Sequence, residues 1–211
     1  MRGQKLLLTC YLASAIEHNK IVQEKQVEDW KSVIKQELSN PSIGIYDPVE
    51  RESQKTGQPC DIANQYIKNL KRGGRWEAFD KSMDAIWWGD VQPGTDKLSI
   101  IQTIRNDFRM NGNSIDDLNH FADYQAVIRS NFIFAYIEKD VKTVGTIKEI
   151  HTAYLLDIPV VLILPDQPPT EANSTLISMV RDSMKLVLPE GSRVFGSVKD
   201  AVNWVKTYYK I

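Results

Sequence analysis

Apolar runs of strand length alternate along the chain with stretches whose apolar residues recur at helical spacing. The run 131–137 is apolar, aromatic and β-branched almost throughout, which indicates a strand that is buried on both faces. This alternation predicts a parallel sheet covered by helices on both sides and joined by right-handed crossovers. The predicted strands are 5–13, 43–46, 131–137, 159–164 and 186–188.

Helices are predicted to follow the strands. Asn40-Pro41 ends the first helix, and Ser114 begins the helix ahead of 131–137. Ser197 caps the last helix, whose buried stripe is expected to be Val198, Ala201, Val202 and Val205. The predicted helices are 27–38, 114–130, 146–156 and one that begins at 197.

Between Asp47 and about Gly112 the alternation gives way to loops marked by Pro and Gly. Short helices are predicted there around 61–70, 75–87 and 99–108. We interpret 47–112 as a long helical insertion after the second strand. The expected fold class is therefore α/β, a three-layer sandwich with a central parallel sheet of about five strands.

Composition narrows the picture further. The chain has 211 residues, 42% hydrophobic and 25% charged, so we expect 1–211 to form a single domain. The net charge is −1 and the basic residues are scattered, so nucleic acid is not an expected partner. Cys10 and Cys60 lack the spacing of a metal site or a disulfide framework, which favours a reducing, cytoplasmic location.

The N-terminal segment looks like a secretory signal peptide. Arg2 and Lys5 precede the largely apolar segment 6–15, which ends in small residues. We interpret it instead as the first strand, because its removal would delete the best candidate for that strand. No run in the sequence has the apolar length of a transmembrane helix, so no membrane association is expected.

Two carboxylates are predicted at one end of the sheet. Asp123 lies eight residues ahead of the 131–137 strand, and Glu149 lies in the predicted first turn of the helix that follows it. Open α/β sheets bind their ligands in the crevice at the carboxyl ends of the strands. We therefore expect Asp123 and Glu149 to face that crevice.

Three motifs together resemble the nucleoside 2-deoxyribosyltransferase family. They are Tyr11-Leu-Ala13, Asp123 ahead of an apolar strand, and Gly145-Thr-Ile-Lys-Glu149-Ile-His-Thr-Ala153. The resemblance covers roughly 5–165, in element order as well as in motifs. It implies a flavodoxin-like sheet, a homodimer or higher homo-oligomer, and cleavage of an N-glycosidic bond without metal or organic cofactor. It also implies a covalent glycosyl-enzyme, with Glu149 as nucleophile and Asp123 engaging the sugar.

Elementary chemistry supports these roles. A carboxylate held against C1′ stabilises the charge that develops as the C1′–N bond breaks and then traps the sugar. The amides of Gly145 and Thr146 are expected to keep Glu149 ionised and to contact a sugar hydroxyl or a phosphate. Tyr11 is expected to hydrogen-bond Glu149, and the alternative is a core aromatic. Trp88 is a candidate platform for a nucleobase, and the alternative is core packing.

The expected function is cleavage or transfer of the glycosyl group of a (deoxy)nucleoside or nucleotide, with a free nucleobase as possible acceptor. One alternative is a nucleoside 5′-monophosphate N-glycosidase, a hydrolase whose phosphate would be held by Ser14, Lys148 and the Gly145-Thr146 amides. Another is a non-catalytic module that binds and senses a nucleotide. Transferase and hydrolase share the first half-reaction, so the sequence leaves that choice open.

The chain also departs from the family pattern. Ser14-Ala15 stands where many relatives carry Gly-Pro, and Asn131 stands where a second Asp often begins the strand. The insertion motifs Asp47-Pro-Val-Glu-Arg-Glu and Trp87-Trp88-Gly-Asp have no assignment from the sequence. Base preference therefore stays open at this stage.

Overall fold

The structure is a computed structural model that describes residues 6–14, 29–51, 60–89, 91, 94–114, 118, 120–139, 143–165, 174–182 and 194–211. Within these residues the centre is a five-stranded sheet in the order β2-β1-β3-β4-β5, with every neighbouring pair parallel. Its strands are β1 Leu8–Ser14, β2 Ile43–Tyr46, β3 Phe132–Tyr136, β4 Val160–Ile163 and β5 Val194–Phe195.

Helices occupy the connections between these strands, and one more helix follows the last strand. They are α1 Trp30–Glu37, α2 Cys60–Arg72, α3 Trp76–Trp88, α4 Lys97–Asn111, α5 Asp123–Ile128, α6 Val144–Leu155, α7 Ser174–Asp182 and α8 Val198–Tyr209. Helices α2, α3 and α4 lie between β2 and α5, where the sequence predicts short helices. None of the helices in the described part of the chain is long and apolar enough to cross a membrane.

The predicted fold class is confirmed. A parallel sheet with the order 2-1-3-4-5 and helices on both faces is the flavodoxin-like three-layer arrangement. β1 pairs with β2 on one side and with β3 on the other, so the order of the strands reverses at β1. Such a switch point opens a ligand crevice at the carboxyl ends of the strands.

Alternate residues of each strand enter two separate cores. Tyr11, Ala13 and Ile133 pack on the face covered by α5, α6 and α7. Cys10 and Phe132 pack on the opposite face against α1 and α8. The side chain of Tyr11 therefore lies on the same face of the sheet as α6, which carries Glu149.

The helix predicted for 114–130 is broken. Residues 120–122 are not helical, and α5 begins at Asp123 with Ala122 as its N-cap. The backbone N–H of Ala122 donates to the side chain of Gln125 at 3.1 Å, which satisfies one of the amides at the start of the helix. Because α5 leads back into β3, its first residue lies at the carboxyl edge of the sheet, and Asp123 occupies that residue.

The last strand also differs from the prediction. The fifth strand is Val194–Phe195, whereas the predicted strand 186–188 lies outside the described residues. Ser197 caps α8 as predicted, since its hydroxyl accepts from the N–H of Asp200 at 3.1 Å. Ala201, Val202 and Val205 are buried in that helix.

Candidate active site

Tyr11 and Glu149 form the central contact of the site. The Tyr11 hydroxyl donates to Oε1 of Glu149 at 2.6 Å, and both side chains are buried. Tyr11 is not at the tip of β1 as predicted, because the strand continues to Ser14. It pairs in register with Tyr46, the last residue of β2, so it still lies close to the carboxyl edge of the sheet.

Glu149 lies two residues deeper in its helix than the sequence predicts. Helix α6 begins at Val144 rather than at Thr146, which places Glu149 in the second turn, where the influence of the helix dipole has largely faded. Among the described residues, its Oε2 has no hydrogen-bond partner. The Gly145 and Thr146 amides therefore do not hold the carboxylate, contrary to the prediction.

The protonation state of Glu149 also corrects the prediction of an ionised carboxylate. Burial raises its pKa to about 8, and the hydrogen bond from Tyr11 only partly opposes this rise. The charge of Asp123 raises the pKa further, while Lys31 lowers it. At neutral pH the carboxyl group of the unliganded protein consequently holds a proton.

Thr146 and Gly145 line the helix face next to Glu149. Thr146 is buried three residues before Glu149, which puts the two side chains on one face of α6. Within the described residues, Thr146 Oγ1 likewise has no hydrogen-bond partner. A side-chain carbon placed on Gly145 would meet nothing within 4 Å. Polar atoms without protein partners and open space next to them suit a ligand that carries hydroxyl groups.

Two side chains lie next to Asp123: Tyr46, which ends β2, and Arg51, which follows β2. The Tyr46 hydroxyl donates to the carbonyl of Phe121 at 2.9 Å and lies 3.4 Å from Oδ1 of Asp123. Nη1 of Arg51 lies 3.8 Å from the same oxygen. Both the Asp123 and the Arg51 side chains are largely buried, with exposed fractions of 14% and 8%.

The two carboxylates are connected through stacked tyrosine rings. The rings of Tyr11 and Tyr46 lie 5.3 Å apart at an angle of 14°, with Glu149 beyond one hydroxyl and Asp123 beyond the other. Burial, followed by carboxylate charge, raises the pKa of both hydroxyl groups. Both tyrosines therefore stay protonated and act as hydrogen-bond donors at any working pH.

A buried ion pair fixes the segment that leaves β2. Lys31 Nζ lies 2.9 Å and Lys35 Nζ 2.8 Å from the two oxygens of Asp47, and Lys35 also pairs with Glu50 at 3.0 Å. Burial opposes ionisation of Asp47, but the two lysines outweigh it and lower its pKa. The unassigned Asp47 motif thus attaches the end of β2 to α1.

The structure also describes Ser14 and Trp88, two further residues that the sequence predicts to bind the substrate. Ser14 ends β1 in register with Tyr136 and is half-buried. Trp88 is only 8% exposed and packs on Tyr124 at 4.7 Å between ring centres, which is the core-packing alternative. Lys148, a candidate for a phosphate site, has its Nζ 5.0 Å from the ring centre of Trp87.

Sequence reasoning missed Tyr46 and Arg51. Tyr46 is the last residue of a predicted strand next to β1, so its position at the carboxyl edge was a usable signal. Nothing in the local sequence indicates that Arg51 approaches Asp123, which lies 72 residues further along the chain. In the described part of the chain, no three His, Cys, Asp or Glu side chains are grouped so that they could hold a metal ion.

No protein-family model and no curated protein matches this chain. Among solved structures, a match is found to a 2-deoxyribosyltransferase from the psychrotolerant bacterium Bacillus psychrosaccharolyticus, described as a biocatalyst for the synthesis of antiviral and antitumoral nucleosides. The two chains are 18% identical with a TM-score of 0.39, and the match covers 92% of this chain and 90% of that one. A likeness at this level carries no argument about activity.

Proposed function

We propose that the chain cleaves or transfers the glycosyl group of a (deoxy)nucleoside or nucleotide through a covalent intermediate on Glu149. One observation carries the proposal. Glu149 is buried with Oε1 bonded to Tyr11 at 2.6 Å, while Oε2 has no partner among the described residues. A carboxylate with one oxygen fixed and the other available is arranged as an oriented nucleophile. The motif that surrounds Glu149 favours a nucleoside as the electrophile.

In the proposed reaction, Oε2 of Glu149 forms a bond to C1′ as the C1′–N bond breaks. The electron pair of the broken bond passes to the leaving base, which also takes up a proton. Asp123 is the second carboxylate near the site, and it either orients the sugar or supplies that proton. Water or a second base then attacks C1′ and releases Glu149, which gives hydrolysis or transfer respectively.

The buried carboxyl group sets a condition on this chemistry. Because burial raises its pKa to about 8, Glu149 is mostly protonated at pH 7 in the unliganded protein. The nucleophile is the ionised form, so activity depends on loss of this proton. Positive charge that develops on the sugar favours the ionised form as the reaction proceeds.

The test is direct capture of the intermediate. A nucleoside with a 2′-fluorine and a good leaving base should slow both half-reactions and leave the enzyme glycosylated. Intact-protein mass spectrometry is expected to show one added sugar mass, and peptide mapping should place it on Glu149. An adduct on Asp123, or turnover with inversion at C1′, would contradict the proposed nucleophile.

Product analysis decides between the alternative activities. The protein is incubated with deoxynucleosides, ribonucleosides and their 5′-monophosphates, with and without a free acceptor base. Exchanged base identifies a transferase, and free base without exchange identifies a hydrolase. Ligand binding without any product would instead support a nucleotide-sensing module.

Tyr11→Phe is expected to move the pH dependence of the reaction. In the wild type, kcat/KM should rise with pH and level off above about 8, because Glu149 must lose its proton. The Tyr11 hydrogen bond lowers the pKa of Glu149, so its removal should shift the rise to higher pH. Rate profiles over about pH 6 to 10 measure the shift.

Tyr209→Phe is the matched control for this experiment. The Tyr209 ring stacks on Phe132 at 4.9 Å in the core on the other face of the sheet. Removal of the Tyr209 hydroxyl should not change the pH at which kcat/KM rises. An unshifted rise in Tyr11→Phe would show that Tyr11 does not set the ionisation of the nucleophile.

A further inference from the structure

Arg51 is a buried cation that the reaction described above does not use. It lies in a helical turn that begins at 48, directly after Asp47, and its backbone N–H donates to the Asp47 carbonyl at 3.0 Å. The whole residue is 7% exposed. Its position is therefore fixed at the carboxyl end of β2, next to the crevice.

The guanidinium of Arg51 and the carboxylate of Asp123 lie beyond hydrogen-bond distance from each other. Hydrogen bonds between a charged donor and a carboxylate measure about 2.7 to 2.9 Å. The lysine pairs to Asp47 in the same region have this length, at 2.8 and 2.9 Å. Nη1 of Arg51 stays 3.8 Å from Oδ1 of Asp123, so the two groups lie side by side without a direct hydrogen bond.

One donor of the guanidinium also lacks an acceptor among the described residues. Arginine carries five N–H donors in a planar fork, and a buried donor without a partner is costly. Arg51 Nε is buried without a hydrogen-bond partner in the described part of the chain. A buried cation with donors to spare, placed next to an acid, suits a ligand that offers acceptor atoms to both groups.

We propose that Arg51 is a specificity-determining residue that donates to the leaving base, so that the chain prefers 6-oxopurine nucleosides to 6-aminopurine nucleosides. This inference rests on the proposed function, with Asp123 as the group that protonates the base. A purine leaves most readily when N7 is protonated, and the atom next to N7 on that edge is the 6-substituent. Asp123 and Arg51 present an acid and a donor side by side, as that edge requires.

The chemistry of the two bases explains the discrimination. Guanine and hypoxanthine offer two acceptors on this edge, N7 for the acid of Asp123 and O6 for the guanidinium of Arg51. Adenine offers N7 as an acceptor but carries an amino donor at position 6. Arginine has no acceptor, so an adenine in the same pose would bring two sets of donors together.

Deoxyinosine and deoxyadenosine test the inference, because on the edge that carries N7 they differ only in the 6-substituent. We expect wild-type kcat/KM to favour deoxyinosine by at least about fivefold, the lower end of what a paired base contact contributes. Arg51→Gln supplies an amide oxygen that accepts from the 6-amino group, so this ratio should fall to one or below. Arg51→Lys keeps a donor and the charge near Asp123, and it should preserve a preference for deoxyinosine.

Other outcomes separate this inference from the proposed function. A wild-type ratio of one or less overturns the inference while leaving glycosyl cleavage intact. Equal losses for both substrates in Arg51→Gln overturn it as well, because they show that Arg51 acts only through Asp123. If the wild type cleaves no nucleoside, the proposed function fails, and calorimetric titration with hypoxanthine and adenine then measures the preference directly. Equal affinities for the two free bases would overturn the inference there.

Discussion

Glu149→Gln is expected to lower turnover at least about a thousandfold while the chain remains folded. The amide keeps the shape of the side chain and still accepts the hydrogen bond that Tyr11 donates. It cannot form an ester with C1′, so the covalent route is closed. Initial rates of base release, measured with the best substrate of the panel, give the size of the loss.

Glu37→Gln provides the matched control. Glu37 is exposed at the end of α1 and pairs with Lys206 of α8 at 2.6 Å, on the face of the sheet opposite the helix that carries Glu149. The same chemical change there should leave turnover unaltered, since exposed ion pairs contribute little to stability. Retention of more than about a tenth of the wild-type rate in Glu149→Gln would contradict the assignment of a nucleophile.

The same substitution should stabilise the fold at alkaline pH. Glu149 has a pKa near 4.5 when exposed in the unfolded chain and about 8 in the folded protein. Between these values the folded state holds a proton that the unfolded chain has released, so wild-type stability falls as pH rises. Glutamine has no such proton. We take the free energy of unfolding of Glu149→Gln minus that of the wild type. This difference should be about 3 to 5 kcal/mol larger at pH 8 than at pH 4.5.

Urea unfolding of both proteins at several pH values between these limits measures the difference. Comparison of the two proteins at each pH cancels the contributions of the titrating groups that do not interact with Glu149. A difference that stays constant with pH would mean that Glu149 is ionised in the folded protein. The proposed pH dependence of activity would then fail together with this prediction.

The elements that position the site were largely predictable from the sequence. The period of apolar residues placed β2 at 43–46 as observed, and β3 and α6 within two residues of their observed limits. The motifs of the family resemblance contain both Tyr11 and Glu149, and the predicted contact between them agrees with the observed hydrogen bond. The start of α5 was missed because Ala122, its N-cap, has no side chain that signals a helix start.

What the sequence could not supply depends on contacts between distant segments. The pKa of Glu149 follows from how completely β1, α5 and α6 bury it, and motif spacing carries no measure of burial. Arg51 lies near Asp123 because of the direction in which the chain turns after β2. That direction depends on the lysines of α1, which pair with Asp47. The strand β5 has only two residues, too few for a period to be recognised.

The attachment of Asp47 to Lys31 and Lys35 separates two parts of the chain that are adjacent in sequence. The turn that carries Arg51 is fixed to α1 and to the sheet before the helices α2, α3 and α4 begin. Changes in length beyond residue 51 consequently leave the guanidinium at the crevice. The segment after residue 51 can therefore change in length while Arg51 stays in place, whereas α3 remains tied to the site because Trp88 packs on Tyr124 of α5.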